Sequence, residues 1–97
     1  MGDFEWDEAK NRANIKNHGI DFYDAVSIFD GPTVEDVDDR EDYGETRIIA
    51  YGQMNGHVVT VVYTMRQDIC CMISARKADR NERGAYYETL ATRAPHE

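Results

Sequence analysis

Apolar residues in the first third of the chain recur at spacings that predict a brief strand followed by two short helices. Phe4-Glu5-Trp6 has the alternation of a strand, and Asp7 is placed to cap a first helix. Gly19 is the residue type that most often follows a helix, and it ends this one. Asp21 caps a second helix, which Gly31-Pro32 ends. The apolar stripe of that helix, at i, i+3, i+4 and i+7, consists of Phe22, Ala25, Val26 and Phe29.

The middle of the chain has the pattern of a β-meander. Residues 33–37 and 47–53 are predicted strands on either side of an acidic segment. Asn55-Gly56 predicts a two-residue hairpin turn, because both central positions of that turn need positive φ. Residues 57–65 are almost all β-branched or apolar, so this strand is predicted to be central in the sheet. A last strand is predicted over residues 69–75.

The junction between the last strand and a final helix carries a dense group of positive charges. Asp79 can cap a helix over residues 80–92, Glu82 can reach back to complete a capping box, and Pro95 closes the ordered region. Four cations lie at this junction: Arg76, Lys77, Arg80 and Arg83. A helix start offers unpaired N–H groups and a positive dipole end, so the junction predicts a phosphate or anion site. The alternative is a solvated helix end with incidental arginines.

The order β-α-α-β-β-β-β-α predicts a small α+β domain with an antiparallel sheet, two N-terminal helices and one C-terminal helix. The 97 residues have the length of one domain, so 1–97 is interpreted as a single unit. No apolar run approaches the ~20 residues of a membrane span, and the acidic start is unlike a signal peptide, so we expect a cytoplasmic protein. Cys70 and Cys71 are adjacent in a predicted strand and are expected to be buried, reduced thiols on opposite faces.

Negative charge is unevenly distributed along the chain. The net charge of −8 argues at first against a nucleic-acid partner. Residues 35–45, however, contain seven acids and one arginine, and the remainder holds ten cations and twelve acids. Local potential therefore decides which surfaces attract anions. The acidic segment is predicted to be a solvated loop, with a contact for a basic partner as the alternative.

A series of short motifs runs through residues 4–87. The first comprises Phe4-Glu5-Trp6-Asp7, Lys10, Asn14 and His18-Gly19, matching F-x-W-D-x-x-K-x-x-x-N-x-x-x-H-G. The others are Phe29-Asp30, Gly44-Glu45 with Arg47, Gly52, Val62-Tyr63-Thr64 with Arg66, Ile73-Ser74-Ala75-Arg76, Ala78, Glu82-Arg83 and Tyr86. In order and spacing these motifs resemble the BrnT family, the toxin components of bacterial type II toxin–antitoxin pairs.

The resemblance implies a compact RelE-like fold and a ribonuclease activity that halts translation. It also implies neutralisation by a BrnA-type antitoxin, whose ribbon-helix-helix reads operator DNA while the complex represses its own promoter. The expected partners are therefore this antitoxin and an RNA substrate, in a higher-order complex. Operator DNA is expected only through the antitoxin, and no membrane contact is expected.

Metal-free RNA cleavage needs a base for the 2′-OH, an acid for the 5′-oxygen and donors for the charge on the phosphorane. His18, His57 and His96 lie far apart, and none has metal-ligand spacing with another His or Cys, so neither a metal site nor a cofactor is expected. Arg76 and Arg83 are the predicted phosphate clamp, because a guanidinium presents two parallel donors to phosphate oxygens.

Arg66 is predicted to join this clamp if the sheet brings neighbouring strand ends together. The proton carrier is predicted to be His18, which has a suitable ordinary pKa, or Glu82. The alternatives are contact of His18 with free helix carbonyls, a purely structural capping box for Glu82, and pairing of Arg83 with Asp79. Further RNA contacts are predicted for Arg47, Tyr63, Lys77 and Arg80, with a core position as the alternative for Tyr63.

Two positions depart from the family pattern. Cys71 stands where the family usually carries an arginine, and Asn17 stands where many members carry a lysine. The leading interpretation is a metal-independent endoribonuclease toxin. One alternative is a non-catalytic partner that binds the antitoxin and tunes promoter repression, which Cys71 favours. Another is a toxin that binds and poisons a protein.

Overall fold

The computed structural model describes residues 2–93, and these residues form one five-stranded sheet with helices on both faces. The strands are β1 (Phe4–Glu5), β2 (Val34–Asp38), β3 (Arg47–Met54), β4 (His57–Arg66) and β5 (Ile69–Lys77). The helices are α1 (Glu8–His18), α2 (Phe22–Ala25, continued as a 3₁₀ helix over Val26–Asp30) and α3 (Arg80–Arg93). Pro95 and His96 lie outside the described residues. None of the helices in the described part is long and apolar enough to cross a membrane.

The predicted α+β class is confirmed, but the sheet is mixed rather than wholly antiparallel. Its strand order is β1-β5-β4-β3-β2, and the β2–β3, β3–β4 and β4–β5 pairs are antiparallel as expected. β1 instead runs parallel to β5, with Phe4 opposite Cys70 and Glu5 opposite Cys71. The direction of β1 could not be read from a two-residue strand, because its partner lies more than sixty residues later in the chain.

The predicted helix and turn signals are confirmed in their local geometry. The Asp7 carboxylate accepts hydrogen bonds from the first turn of α1, and Gly19 ends that helix at φ 71°. Asp21 caps α2 through the Tyr23 N–H. In the β3–β4 hairpin, Asn55 and Gly56 both have positive φ, as the turn type requires.

The second helix differs from the prediction because it tightens into a 3₁₀ helix after one turn. Phe22, Ala25 and Ile28 are all fully buried, which is a spacing of three residues. In a 3₁₀ helix the residues i and i+3 lie directly above one another, so this spacing forms a single buried row. The predicted stripe was correct for Phe22 and Ala25, but it omitted Ile28, and its other members Val26 and Phe29 are only partly buried.

The acidic segment is part strand and part loop, so its interpretation as a solvated loop was partly wrong. Its first residues belong to β2, and the Asp38 side chain is fully buried. Asp38 accepts two hydrogen bonds from the Arg40 guanidinium, at 2.7 and 2.8 Å. These bonds lower the pKa of the Asp38 carboxyl to about 2. The ion pair is what allows an acid to point inward here.

The two faces of the sheet carry separate apolar clusters. The first face packs against α1 and α2 and holds the main core, which includes Phe22, Ile28, Val61 and Met72. The second face is covered by α3 only in part, through a smaller cluster of Val58, Ala78 and Tyr86. The far end of the second face is open, and the side chains there are largely polar.

Candidate active site

Arg76 and Glu82 form an ion pair that joins the end of β5 to the first turn of α3. Arg76 Nη1 lies 2.7 Å from Glu82 Oε1, and Arg76 Nη2 lies 2.8 Å from Glu82 Oε2. Glu82 Oε1 also accepts the Asp79 N–H at 2.9 Å, and Asp79 Oδ1 accepts the Glu82 N–H at 2.8 Å, which is the predicted capping box. The Arg76 contact lowers the pKa of Glu82 despite partial burial. Arg76 and Glu82 thus satisfy each other and fasten α3 to the sheet.

Arg83 and Lys77 lie together, but on a different side of this junction from the Arg76–Glu82 pair. Both line a cavity of about 110 Å³ beside the β3–β4 hairpin turn, together with His57 and Tyr87. Among residues 2–93 neither cation forms an ion pair, and Asp79 accepts the Glu82 N–H instead of pairing with Arg83. The four-cation cluster of the sequence is therefore divided by the start of α3.

Arg66 lies far from this junction, so the sheet does not bring the predicted three-arginine clamp together. Thr60 is opposite Arg76, whereas Arg66 is opposite Ile69 at the other end of β4. Six residues separate Thr60 from Arg66, which is about 20 Å at the usual strand rise. The C-terminal ends of two consecutive antiparallel strands lie at opposite ends of the sheet. The expectation that Arg66 would join Arg76 was therefore wrong.

Arg66 instead borders a cavity of about 370 Å³ at the open end of the second face. We call it the arginine cavity. Its polar lining consists of the cations Lys10, Arg47 and Arg66, the acids Glu5, Asp7 and Glu45, and the side chains of Thr64 and Cys71. These residues come from β1, the start of α1, the β2–β3 loop and the strands β3, β4 and β5. Only the sheet brings such separated segments together.

The two arginines of the cavity are held in different ways. Arg66 Nη2 lies 3.0 Å from Glu45 Oε1, and this pair is partly exposed, at 61% and 29% of the two side chains. The Arg47 guanidinium stacks on the Tyr43 ring, with its carbon 3.9 Å from the ring centre. Arg47 Nε is buried, yet it has no hydrogen-bond partner within the described part of the chain. A buried donor without a partner is costly.

Cys71 lines the arginine cavity as a protonated thiol. Its Sγ lies 3.2 Å from Glu5 Oε1, on the neighbouring strand β1. Burial and the hydrogen bond to Glu5 both raise the pKa of the Cys71 thiol. Burial likewise raises the pKa of Cys70, on the opposite face, to about 12. Both cysteines are free and buried, as predicted, and neither has the lowered pKa of a reactive thiolate.

The other predicted site residues lie outside the arginine cavity. Tyr63 is only 4% exposed, packs edge-on against Phe29 and donates its hydroxyl hydrogen to Glu35, so it is a core residue. Burial and this bond raise the pKa of Tyr63. His18 is exposed at the last position of α1, and Arg80 is exposed at the first position of α3. The structure therefore brings together only Arg47 and Arg66 of the predicted contacts in the arginine cavity.

Sequence reasoning missed Lys10, Thr64 and Glu5 as site residues. One signal was available, since Thr64 and Arg66 are two apart in a strand and must share a face. Pairing of that strand with β3 then places Arg47 beside Thr64, whose hydroxyl donates to the Thr46 carbonyl at 2.7 Å. Glu5 and Lys10 could not be added in this way, because their position depends on the parallel pairing of β1.

Fold and cavity together define a small α+β protein in which three cations and three acids line one cavity. Residues 6–82 match the model of a family described as the ribonuclease toxin, BrnT, of type II toxin–antitoxin systems. The match covers most of the chain, which therefore belongs to the BrnT family. No curated protein matches the chain.

Proposed function

We propose that this chain is a metal-independent endoribonuclease toxin that cuts RNA in the arginine cavity and thereby halts translation. The supporting observation is convergence: Lys10, Arg47, Thr64 and Arg66 come from three separate motifs of the family resemblance, and all four line one cavity. The family is one of ribonuclease toxins, which makes the RNA phosphate the natural anion for this site.

The cavity offers donors for the charge that develops during cleavage. Arg47 and Arg66 both line the cavity, and Arg66 presents a half-exposed guanidinium. Guanidinium groups match phosphate oxygens and stay charged at all physiological pH values, so they can stabilise a phosphorane without a metal ion. Thr64 adds a hydroxyl on the same wall.

The proton transfers can be assigned by considering which polar groups remain uncommitted. Asp7 caps α1 and Glu45 pairs with Arg66, whereas within residues 2–93 the Glu5 carboxylate accepts a hydrogen bond only from the neutral Cys71 thiol and is engaged in neither a cap nor an ion pair. In the proposed reaction Glu5 takes the proton from the ribose 2′-OH as the 2′-oxygen bonds to phosphorus. Lys10 gives a proton to the departing 5′-oxygen as its bond to phosphorus breaks. The products are a 2′,3′-cyclic phosphate and a 5′-hydroxyl.

The test compares arginine variants in a purified RNA-cleavage assay that contains EDTA. The protein is produced together with the product of the neighbouring reading frame and then separated from it. Arg47→Ala and Arg66→Ala should each slow cleavage by about 100-fold or more, since each removes a transition-state donor. Arg12→Ala is the matched control, because Arg12 is an exposed cation of α1 that does not line the cavity.

Three results would contradict the proposal. Cleavage at the unaltered rate in both Arg47→Ala and Arg66→Ala would show that the chemistry occurs elsewhere. Loss of all cleavage in EDTA, with recovery on adding a divalent cation, would refute metal independence. Products that end in a 3′-phosphate without passing through the cyclic form would exclude the 2′-OH as the nucleophile.

A non-catalytic role in promoter repression is the second candidate function, and two observations favour it. Cys71 occupies the wall position where the family usually carries an arginine, and Arg66 already has Glu45 as a partner. In that case the chain would bind the antitoxin and sharpen operator binding while leaving RNA intact. Co-purified complex that shifts operator DNA, combined with free chain that cuts no RNA, would distinguish this candidate from the first.

The family is defined by toxin–antitoxin pairs, and an antitoxin is therefore its partner. We propose a BrnA-like ribbon-helix-helix antitoxin, a higher-order complex and a cytoplasmic site of action. The net charge of −8 supports assigning operator DNA to the antitoxin, because DNA affinity depends on neutralising phosphates with cations.

A further inference from the structure

A second cation-lined cavity lies at the opposite end of β4 from the arginine cavity. It has a volume of about 110 Å³ and is formed by the β3–β4 turn, the end of β5 and one side of α3. We call it the hairpin cavity and define it by the polar residues His57, Lys77, Arg83 and Tyr87. None of these groups has a role in the chemistry proposed for the arginine cavity.

The electrostatic character of the hairpin cavity is unusual for this protein. Its lining contains no carboxylate, whereas acids line each of the other four cavities described for residues 2–93. The chain has 19 acidic residues against 11 Lys and Arg, so a carboxylate-free cavity with two cations stands apart from its surroundings. Lys77 and Arg83 also lack ion-pair partners in the described part of the chain. Their charge is therefore available to a ligand.

The chemistry of the lining matches one phosphate group. Arg83 can present two parallel N–H donors, and Lys77 supplies a compact positive charge. The His57 ring adds a further N–H donor, and Tyr87, whose side chain is well exposed, adds a hydroxyl or a stacking surface. The volume of about 110 Å³ is of the size of a single anionic group.

The position relative to the arginine cavity suggests what carries that phosphate. Val58 borders the hairpin cavity and Arg66 borders the arginine cavity, at the two ends of the same strand. Eight residues separate them, which corresponds to about 26 Å along β4. One extended nucleic-acid strand can reach both cavities, whereas a mononucleotide cannot.

We propose that the hairpin cavity binds a backbone phosphate of the same RNA strand that is cut in the arginine cavity, several nucleotides from the cleaved bond. This proposal rests on the proposed function, since it assumes that RNA is the ligand. The hairpin cavity then contributes to affinity and to the placement of the strand but does not take part in bond cleavage.

The experiment measures binding of a fluorescent, fully 2′-O-methylated RNA, which cannot be cleaved, by anisotropy at several salt concentrations. Lys77→Ala and Arg83→Ala should each weaken binding by about tenfold, the usual effect of losing one charge-assisted contact. The double variant should lower the slope of log affinity against log salt by ~0.7, the value for one phosphate on a single strand. Arg80→Ala is the matched control, because Arg80 is an exposed cation of the same helix outside the cavity.

Cleavage rates at saturating RNA provide a second measurement. The Lys77 and Arg83 variants should retain the unaltered maximal rate and show a raised KM, whereas Arg47→Ala lowers the maximal rate. Unchanged RNA affinity and salt slope in the double variant would overturn the proposal while leaving cleavage in the arginine cavity intact. Perturbation of the His57 ring resonances by inorganic phosphate, without any change in RNA affinity on substitution, would mark a free-anion site and would also overturn it. If no form of the protein bound RNA, both proposals would fail together.

Discussion

The buried Asn14 side chain makes three hydrogen bonds to backbone groups, and its removal gives a sharply defined stability prediction. Asn14 lies in α1 and is 5% exposed. Its Nδ2 donates to the Ile20 carbonyl at 2.9 Å and to the Ala75 carbonyl at 2.8 Å, and its Oδ1 accepts the Ala75 N–H at 3.1 Å. One amide thus joins α1, the start of α2 and β5.

The cost of Asn14→Ala follows from the three backbone groups that it leaves without partners. A buried polar group deprived of its hydrogen bond costs about 1–3 kcal/mol, and partial access of water to the new space reduces the sum. We therefore expect the free energy of unfolding to fall by about 3–5 kcal/mol, which is a large share of the ~5–15 kcal/mol available to a domain. Asn14→Asp should be comparably destabilising, because a carboxylate cannot donate to two carbonyls.

Urea unfolding followed by circular dichroism measures this difference, and Asn17→Ala is the control. Asn17 is exposed on the same helix, so its replacement should change the free energy of unfolding by less than about 0.5 kcal/mol. A loss of under about 1 kcal/mol for Asn14→Ala would refute the reasoning, since it would show that the three backbone groups find other partners. Loss of RNA cleavage without loss of stability would indicate a catalytic role instead.

Three further predictions use the same unfolding and cleavage assays. Arg76 lowers the pKa of Glu82 in the folded protein. The ionised Glu82 therefore stabilises the fold above the ordinary carboxyl pKa of about 4.3, and this stabilisation is lost as the pH falls through the lowered pKa. Glu82→Gln should make the free energy of unfolding in urea depend less on pH across that acid range. Gly52→Ala should destabilise the protein by about 1–3 kcal/mol, because a Cβ at this position would lie 2.7 Å from the Ile28 Cβ. Gly84→Ala should instead stabilise it by about 0.5–1 kcal/mol, because a Cβ there meets open space on α3. Cys71→Arg should raise the cleavage rate by adding a donor to the arginine cavity, and a rate equal to that of Cys71→Ser would contradict this.

Local chemistry explains why much of the fold could be predicted. Helix caps and hairpin turns depend on residues within four positions of one another, and the signals at Asp7, Gly19, Asp79 and Asn55-Gly56 all gave the correct geometry. The apolar run of β4 likewise gave its central place in the sheet. Winding of α2 into a 3₁₀ helix was not predictable, because a row of buried residues fits either helix until its packing against the sheet is known.

The candidate site was harder to predict because it depends on strand direction and on one irregularity in the sheet. Arg76 is opposite Thr60 and Cys71 is opposite Thr64, so both side chains lie on the second face. Strict alternation would place residues five apart on opposite faces. A β-bulge at Ile73 supplies the extra residue, and it keeps Cys71 at the wall of the arginine cavity while Arg76 points toward α3. Nothing in the local sequence around Ile73 predicts the bulge.

The distribution of charge bears on the proposal that RNA is the ligand. A surface with net charge −8 repels phosphate over most of its area, so any attraction depends on positions where cations are placed locally. Arg76 does not provide such a position, because Glu82 neutralises it in the middle of the second face. Five of the other ten cations line two cavities, which are separated by the length of β4. In the proposed binding mode, attraction at both ends aligns an RNA strand along β4, and raising the salt concentration should weaken that attraction.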